Sequence, residues 1–393
     1  MNLFHRKMKS GIAILLFCFT LCSECLTVCF AEGTAKPQLL SESYVLMEAS
    51  TGTILHEKDM NKVLPPASIT KIMTLLLIYE ALEDGTITKE TIVTTTDHAA
   101  SMGGSQVYLE AGEQQTVETL IKCISISSAN DACVAMAEHL AGTEEAFVEE
   151  MNKKAKELGM NNTHFVNCCG LDVDGHVSTA YDIALMSREL MSRFPDVMTY
   201  TTTRISSMTH TTNKGTTEFG LTNTNKLLSS YEGITGLKTG STGKARYCLS
   251  ATATRNDIDM IAVVLSAPDT KTRFKEAATL LNYGFSQCKI FTDDHTDLEP
   301  LFVPVEKSME QKVRLVPKEN FRYVSVGKEN FDDIKEEIFV YESIVAPISQ
   351  GEELGAIIYS LNGKEIGRVA LIAETSVPEA TYLDYVKKIL SYF

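Results

Sequence analysis

The 393-residue sequence contains no His-Glu-x-x-His run and no Gly-x-Ser-x-Gly elbow, and its 8 histidines are scattered. Those absences exclude the zinc-protease helix motif and the α/β-hydrolase nucleophile turn. Cationic charge is also scarce. Lys+Arg 36 against Asp+Glu 51 gives a formal net charge of -15, which argues against a phosphate-backbone partner and so against nucleic acid. A phosphate loop could be sought at Gly243-Lys244, but Lys238 stands where its first glycine belongs and Ala245 where its Ser or Thr belongs. With Gly 23, Pro 10, 22% charged and 44% hydrophobic residues, the composition is neither fibrous nor disordered. No internal repeat or low-complexity linker occurs. Because single cores stop growing at roughly 250 to 300 residues, the length suggests two domains.

Arg6, Lys7 and Lys9 precede an apolar run from Gly11 to Phe30, and Cys29-Phe30-Ala31 supplies the small residues of a cleavage site. This reads as an export signal over 1–31. The run is also long enough to nearly span a bilayer, so an uncleaved anchor is the other reading. Cys18, Cys22, Cys25 and Cys29 would leave with the signal. Cys123, Cys133, Cys168, Cys169, Cys248 and Cys288 remain, without paired metal-ligand spacing, and read mostly as buried thiols. Adjacent Cys168 and Cys169 could bridge each other only with strain.

Tyr44 to Ser50 and Thr53 to Lys58 read as a hairpin. After Pro65-Pro66 a continuous apolar pattern from Ala67 to Leu82 predicts a buried helix. Helical patterns follow over Val117 to Leu158 and Thr179 to Ser192, then strands over Arg246 to Arg255 and Met260 to Ala267, then a helix over Phe274 to Phe285. That order is α+β. Beyond about Lys289, short alternating stretches at Lys312–Val316, Phe321–Val326, Ile338–Tyr341, Ala356–Ser360 and Gly367–Ala373 predict a small all-β domain. The expected division is signal 1–31, a catalytic domain 38–288, an all-β domain 289–378 and a tail 379–393.

Ser68 and Lys71 lie three apart at the start of the first long helix, within reach of each other on one face. A serine hydroxyl attacks poorly until a partner takes its proton, which a lysine does when desolvated or set beside another cation. Alone the pattern is weak, since an exposed helix-start serine and a snorkelling lysine give the same letters. Ser128 and Asn130 offer a hydroxyl and an amide two apart at a helix start, able to relay a proton and hold a substrate amide, although a helix cap uses the same residues. Lys238-Thr239-Gly240 adds a cation, a hydroxyl and a glycine that lets substrate backbone lie along a strand edge.

The three motifs in this order resemble the Ser-x-x-Lys, Ser-x-Asn and Lys-Thr-Gly set of the penicillin-recognising serine enzymes. Pro65 to Thr74, Ser128 to Ala132, Gly170-Leu171, His176 to Ala180 and Asn223 to Leu228 resemble the low-molecular-mass penicillin-binding proteins, in particular exported D-alanyl-D-alanine carboxypeptidases. The resemblance runs from about Tyr44 to the C-terminus. It implies a penicillin-binding transpeptidase-like domain followed by a small all-β domain and a C-terminal amphipathic helix. It also implies that Ser68 attacks the bond between two terminal D-alanines of a peptidoglycan pentapeptide and Lys71 accepts its proton. Ser128 would pass a proton to the leaving D-alanine. Asn130 would hold the substrate amide, Lys238 would supply positive field, Thr239 would hydrogen-bond the terminal carboxylate, and Gly240 would let the substrate backbone lie close. The N–H groups of Ser68 and Ser241 would form the oxyanion hole. β-Lactams would inhibit, and neither metal nor cofactor would be needed.

The chain departs from the family where Asn167 is followed by Cys168-Cys169 rather than proline, and where Arg246 and Tyr247 follow Ala245. These differences touch substrate-side detail rather than acyl chemistry. A class A β-lactamase would need a deacylating Glu, and Glu218 lies too near Lys238 for that. The alternative of another class is a wall-binding or scaffolding protein with little turnover. In the tail, Tyr382, Leu383, Val386, Ile389, Leu390 and Phe393 form one stripe, too short to span a bilayer but suited to its surface. Packing on the chain's own β domain or on a second copy would cover the same stripe.

Overall fold

The segment Ile258–Ala267, with only Asp259 exposed, is apolar on both faces and must lie between two layers. In the computed structural model, which describes residues 36–327 and 329–391, it is the central strand of a five-stranded antiparallel sheet ordered β2-β1-β9-β8-β7. The strands are β1 (Ser43–Glu48), β2 (Ile54–Lys58), β7 (Ile234–Thr242), β8 (Arg246–Arg255) and β9 (Ile258–Ala267). Strand periodicity of two sorts the side chains. Tyr44, Leu46, Met260, Ala262 and Val264 face helix α6 (Thr270–Gln287), whereas Val45, Met47, Ile261, Val263 and Leu265 face the helical layer.

That layer is built on α1 (Lys71–Glu83), whose residues from Lys71 to Leu76 are all buried, as expected of a helix with no polar stripe. Around it lie α2 (Val117–Lys122), α3 (Asn130–Ala141), α4 (Glu144–Glu157) and α5 (Ala180–Arg193). The expected helix over 117–158 is therefore three helices. A π turn at Cys123–Ser127 ends in Ser128, which adopts left-handed φ 62, and Gly142 closes α3 with φ 83. Two ribbons complete this part, β3 (Ile92–Thr94) with β4 (Gln114–Thr116) and β5 (Ile205–Thr212) with β6 (Gly215–Thr222).

Strand β10 (Cys288–Asp293) follows α6 directly and pairs with β13 (Phe321–Val326). A second five-stranded sheet runs β11-β12-β16-β15-β14, comprising β11 (Leu301–Pro304), β12 (Lys312–Pro317), β14 (Ile334–Val340), β15 (Glu353–Leu361) and β16 (Lys364–Ala373). Phe321 stacks on buried Tyr359 at 3.7 Å between ring centroids, and the tyrosine hydroxyl donates to Asp293 at 2.6 Å. Helix α7 (Tyr382–Leu390) begins with a Thr381–Asp384 capping box and buries none of its residues. No helix among the described residues is long and apolar enough to cross a membrane. The expected signal over 1–31 lies outside the described residues, as do Lys328 and the last two residues of the tail.

Candidate active site

Ser68 occupies a 3-10 turn, Ala67–Thr70, immediately before α1. Two backbone features hold that turn. Ala67 adopts φ 50, and Gly170, at φ 88, lies so close that a Cβ on it would sit 1.9 Å from the Ala67 carbonyl oxygen. Lys71 is fully buried, and its Nζ is 3.1 Å from Ser68 Oγ, 2.6 Å from Asn130 Oδ1 and 2.7 Å from the Cys169 carbonyl oxygen. The two oxygens other than Ser68 can only accept. A neutral amine spends both of its protons on them and turns its lone pair to the serine hydroxyl, which is the geometry of a base.

The second motif hangs on the left-handed residue that ends the π turn. Ser128 is buried, and its Oγ has no hydrogen-bond partner among the described residues. Asn130 opens α3, with Nδ2 donating to Gly103 O at 2.7 Å and its backbone N–H to Ser105 O at 2.7 Å. One amide proton remains available. Asp131, fully buried, accepts from the N–H groups of Val107 and Leu109 and so fixes the loop beside Asn130. Burial pushes its carboxyl upward, against the pull of those N–H bonds.

The third motif lies on β7, an edge strand packed against the Ser68 turn. Lys238 is buried with Nζ 3.2 Å from Thr239 O. Burial, and then the neighbouring charge of Lys71, hold its ammonium pKa well below the ordinary lysine value. Thr239 Oγ1 lies 2.6 Å from Thr224 Oγ1. Ser241 is exposed at the strand end. A Cβ on Gly240 would meet Pro66 O at 2.9 Å and Ser68 N at 3.1 Å, so it is the nucleophile's turn that demands a glycine at this position.

Motif reading brings these residues together but misses their supports. Arg273, buried near the start of α6, reaches Gly240 O at 2.9 Å and Cys248 O at 3.2 Å from Nη1, while its buried Nε has no hydrogen-bond partner among the described residues. Asp172 accepts from Thr242 Oγ1 at 2.7 Å and from Lys244 N–H at 3.1 Å, tying the loop after Gly170 to the end of β7. His176 accepts the Val166 N–H at Nδ1, and its Nε2 lies 2.8 Å from Thr70 Oγ1, whose own proton goes to Ala67 O. Arg246 adopts φ 59, and its half-exposed side chain lies 3.6 Å from Glu42. Among the described residues Cys123, Cys133, Cys168, Cys169, Cys248 and Cys288 are free, the first five buried and Cys288 partly so. Among the described residues no group of three or more His, Cys, Asp or Glu is arranged to hold a metal ion.

A serine and a buried lysine on one helix start, flanked by a hydroxyl-amide pair and a Lys-Thr-Gly edge strand, define a penicillin-recognising serine enzyme. A family model described as D-alanyl-D-alanine carboxypeptidase, peptidase S11, matches residues 31–269, and one for the C-terminal domain of penicillin-binding protein 5 matches residues 285–379. The D-alanyl-D-alanine carboxypeptidase DacF of Bacillus subtilis is 41% identical over 359 residues, covering 91% of this chain and 91% of that protein. DacA of Escherichia coli is 32% identical over 89% of this chain and 88% of its own. Among solved structures, penicillin-binding protein 5 from Haemophilus influenzae superposes with TM-score 0.65 at 30% identity, covering 88% of this chain and 100% of that one. A peptidoglycan synthesis regulatory factor from Streptococcus pneumoniae gives TM-score 0.71 at 28% identity, over 87% and 100%. The chain belongs to the peptidase S11 family of serine-type D-alanyl-D-alanine carboxypeptidases, among the low-molecular-mass penicillin-binding proteins.

Proposed function

We propose that the chain removes the terminal D-alanine from peptidoglycan stem pentapeptides through an acyl-enzyme on Ser68. The observation that carries this reading is the bonding of Lys71 Nζ, whose two carbonyl-type acceptors leave the Ser68 proton as the one it can take. Ser68 Oγ attacks the carbonyl between the two D-alanines as Lys71 accepts its proton. The N–H groups of Ser68 and Ser241 hold the oxyanion. Ser128, whose buried hydroxyl is unpaired, hands a proton to the leaving amine, and the free amide proton of Asn130 holds the substrate amide. Thr239 donates to the terminal carboxylate within the field of Lys238. Water then attacks the ester, returning Ser68 and releasing the shortened peptide.

Residues 38–288 carry this chemistry, and 289–378 form the all-β domain. The tail, 379–393, lies on the outer face of the cell membrane through Tyr382, Leu383, Ile389 and Leu390, all exposed on α7. β-Lactams acylate the same serine. Mass spectrometry of a synthetic pentapeptide before and after incubation tests the reaction: the expected result is loss of one alanine, abolished together with penicillin labelling in Ser68→Ala. Labelling without alanine release would mark a wall-binding protein instead. A stable penicillin adduct on Ser68→Ala would remove the serine from its role.

A further inference from the structure

Residues 223–225 form a short clamp whose purpose the reaction scheme leaves open. Asn223 Nδ2 donates to Thr201 O at 3.2 Å and Thr203 O at 2.9 Å, and its Oδ1 accepts the Asn225 N–H at 2.9 Å. Asn225, buried, donates to Gly236 O on β7 at 3.0 Å and accepts from Leu227 N–H at 3.1 Å. Between these two anchored amides, the Thr224 N–H donates to Ile126 O in the π turn before Ser128. The backbone of Thr224 is thus fixed against two of the three motif segments. Its side chain is exposed toward solvent, yet its hydroxyl sits 2.6 Å from that of Thr239.

We propose that Thr224 is a positioning residue for carboxylate recognition: its hydroxyl donates to Thr239 Oγ1, leaving the Thr239 proton directed at the substrate's terminal carboxylate. The inference rests on the assignment of that carboxylate to Thr239. A hydroxyl has one proton to give. If Thr239 gave its proton to Thr224, it would present only lone pairs to an anion, which repels. With a carboxylate bound, the chain of bonds must therefore run from Thr224 to Thr239 to the substrate. Each bond in such a chain polarises the next, and the buried position of Thr239 strengthens the effect. The clamp of asparagines keeps the donor in register at no cost at the moment of binding.

The test compares kcat/KM for two acyl peptides, one ending in D-alanyl-D-alanine with a free carboxylate and one with the same end as its amide. The preference for the free acid is the readout, because a merely structural role would lower both rates alike. Thr224→Val is expected to reduce that preference about fivefold, the worth of one hydrogen bond of about 1 kcal/mol, mainly through KM. Thr224→Ser, which keeps the hydroxyl, is expected to retain it, and Thr239→Val to lose it. An unchanged preference in Thr224→Val beside a lost one in Thr239→Val would overturn the inference while leaving the carboxylate assignment standing. An equal loss on both peptides in Thr224→Val would also overturn it. A preference untouched by Thr239→Val would overturn the assignment itself, and with it the inference.

Discussion

Acidification should destabilise this fold through His176. The imidazole is buried beside Phe165, takes the Val166 N–H at Nδ1 and faces Thr70 from Nε2. Burial first, and then the nearby His164, lower its pKa from the ordinary 6.5 to about 4. Between those two values the unfolded chain holds a proton that the folded chain refuses, so stability rises with pH across the window and falls as the solution is acidified. The full difference of about 2.5 pH units corresponds to about 3 kcal/mol, lost progressively from pH 6.5 down to pH 4. Protonation would also set an Nδ1–H against the Val166 N–H, loosening the loop that holds Thr70 and, through it, the Ala67 carbonyl beside Ser68.

Because the chain has no tryptophan, urea unfolding is best followed by far-UV circular dichroism at a series of pH values from 7 to 4. His176→Gln provides the reference, since it cannot titrate. The variant starts lower at pH 7 through its poorer hydrogen bonds. Relative to it, the native protein should lose about 3 kcal/mol between pH 7 and pH 4. Parallel curves for the two proteins would refute the reasoning.

Four further outcomes are expected. Gly170→Ala places a Cβ at 1.9 Å from the Ala67 carbonyl oxygen in a left-handed backbone. Unfolding free energy should drop by at least about 2 kcal/mol, and penicillin acylation should fall about a hundredfold as the Ser68 turn shifts, as read by urea titration and labelling rate. The depressed pKa of Lys238 means its charge is lost on the alkaline side well before pH 10.5, so KM for the pentapeptide should climb there, and Lys238→Gln should show a high, flat KM. The same buried cation costs stability wherever it is charged, and this penalty fades as pH rises toward 10.5, so Lys238→Met should be the more stable protein at pH 7 by an advantage that shrinks with alkalinity. Deleting 379–393 should abolish partition onto liposomes of a protein whose signal has been removed, while pentapeptide hydrolysis in solution stays unchanged; equal partition with and without the tail would refute membrane docking.

Strands β1, β2, β8 and β9 and helix α1 were legible, the clearest because their burial is written as apolar letters, Ile258 to Ala267 and Ile72 to Ile78 being almost uninterrupted. The ribbon β5–β6 was not. Half of its letters, ISSMTHTT and GTTEFGLT, are threonine and serine, and only Met208, His210 and Leu221 are buried, so no two-residue alternation of apolar side chains marks it. The break of the long helical region at Ser128 was equally invisible. Apolar spacing continues straight through Cys123–Ser127, and the left-handed turn is adopted by a serine rather than by the glycine that would have signalled it. Arg273 escaped because a cation near the start of a helix reads as surface, whereas its guanidinium is spent on two backbone carbonyls under β7.

The replacement of the expected proline by Cys168-Cys169 shows why motif letters carry further than their surroundings. The chemistry requires a hydroxyl, an amine and an amide at fixed places, and only a few residue types supply them. Their supports are largely backbone oxygens, which any residue provides: Cys169 O for Lys71, Cys168 O for Thr74 at 2.6 Å and Gly103 O for Asn130. What the loop must conserve is its path. Asn167 Oδ1 sets that path by accepting from Gly170 N–H at 2.7 Å and Leu171 N–H at 3.1 Å, and Gly170 admits the Ala67 carbonyl. The side chains at 168 and 169 need only be small enough to bury, which two thiols are. Substitution there is therefore tolerated as long as both carbonyls stay aimed at α1, and where a proline would have no N–H to give, the Cys168 N–H donates to Glu144 Oε1 at 2.9 Å.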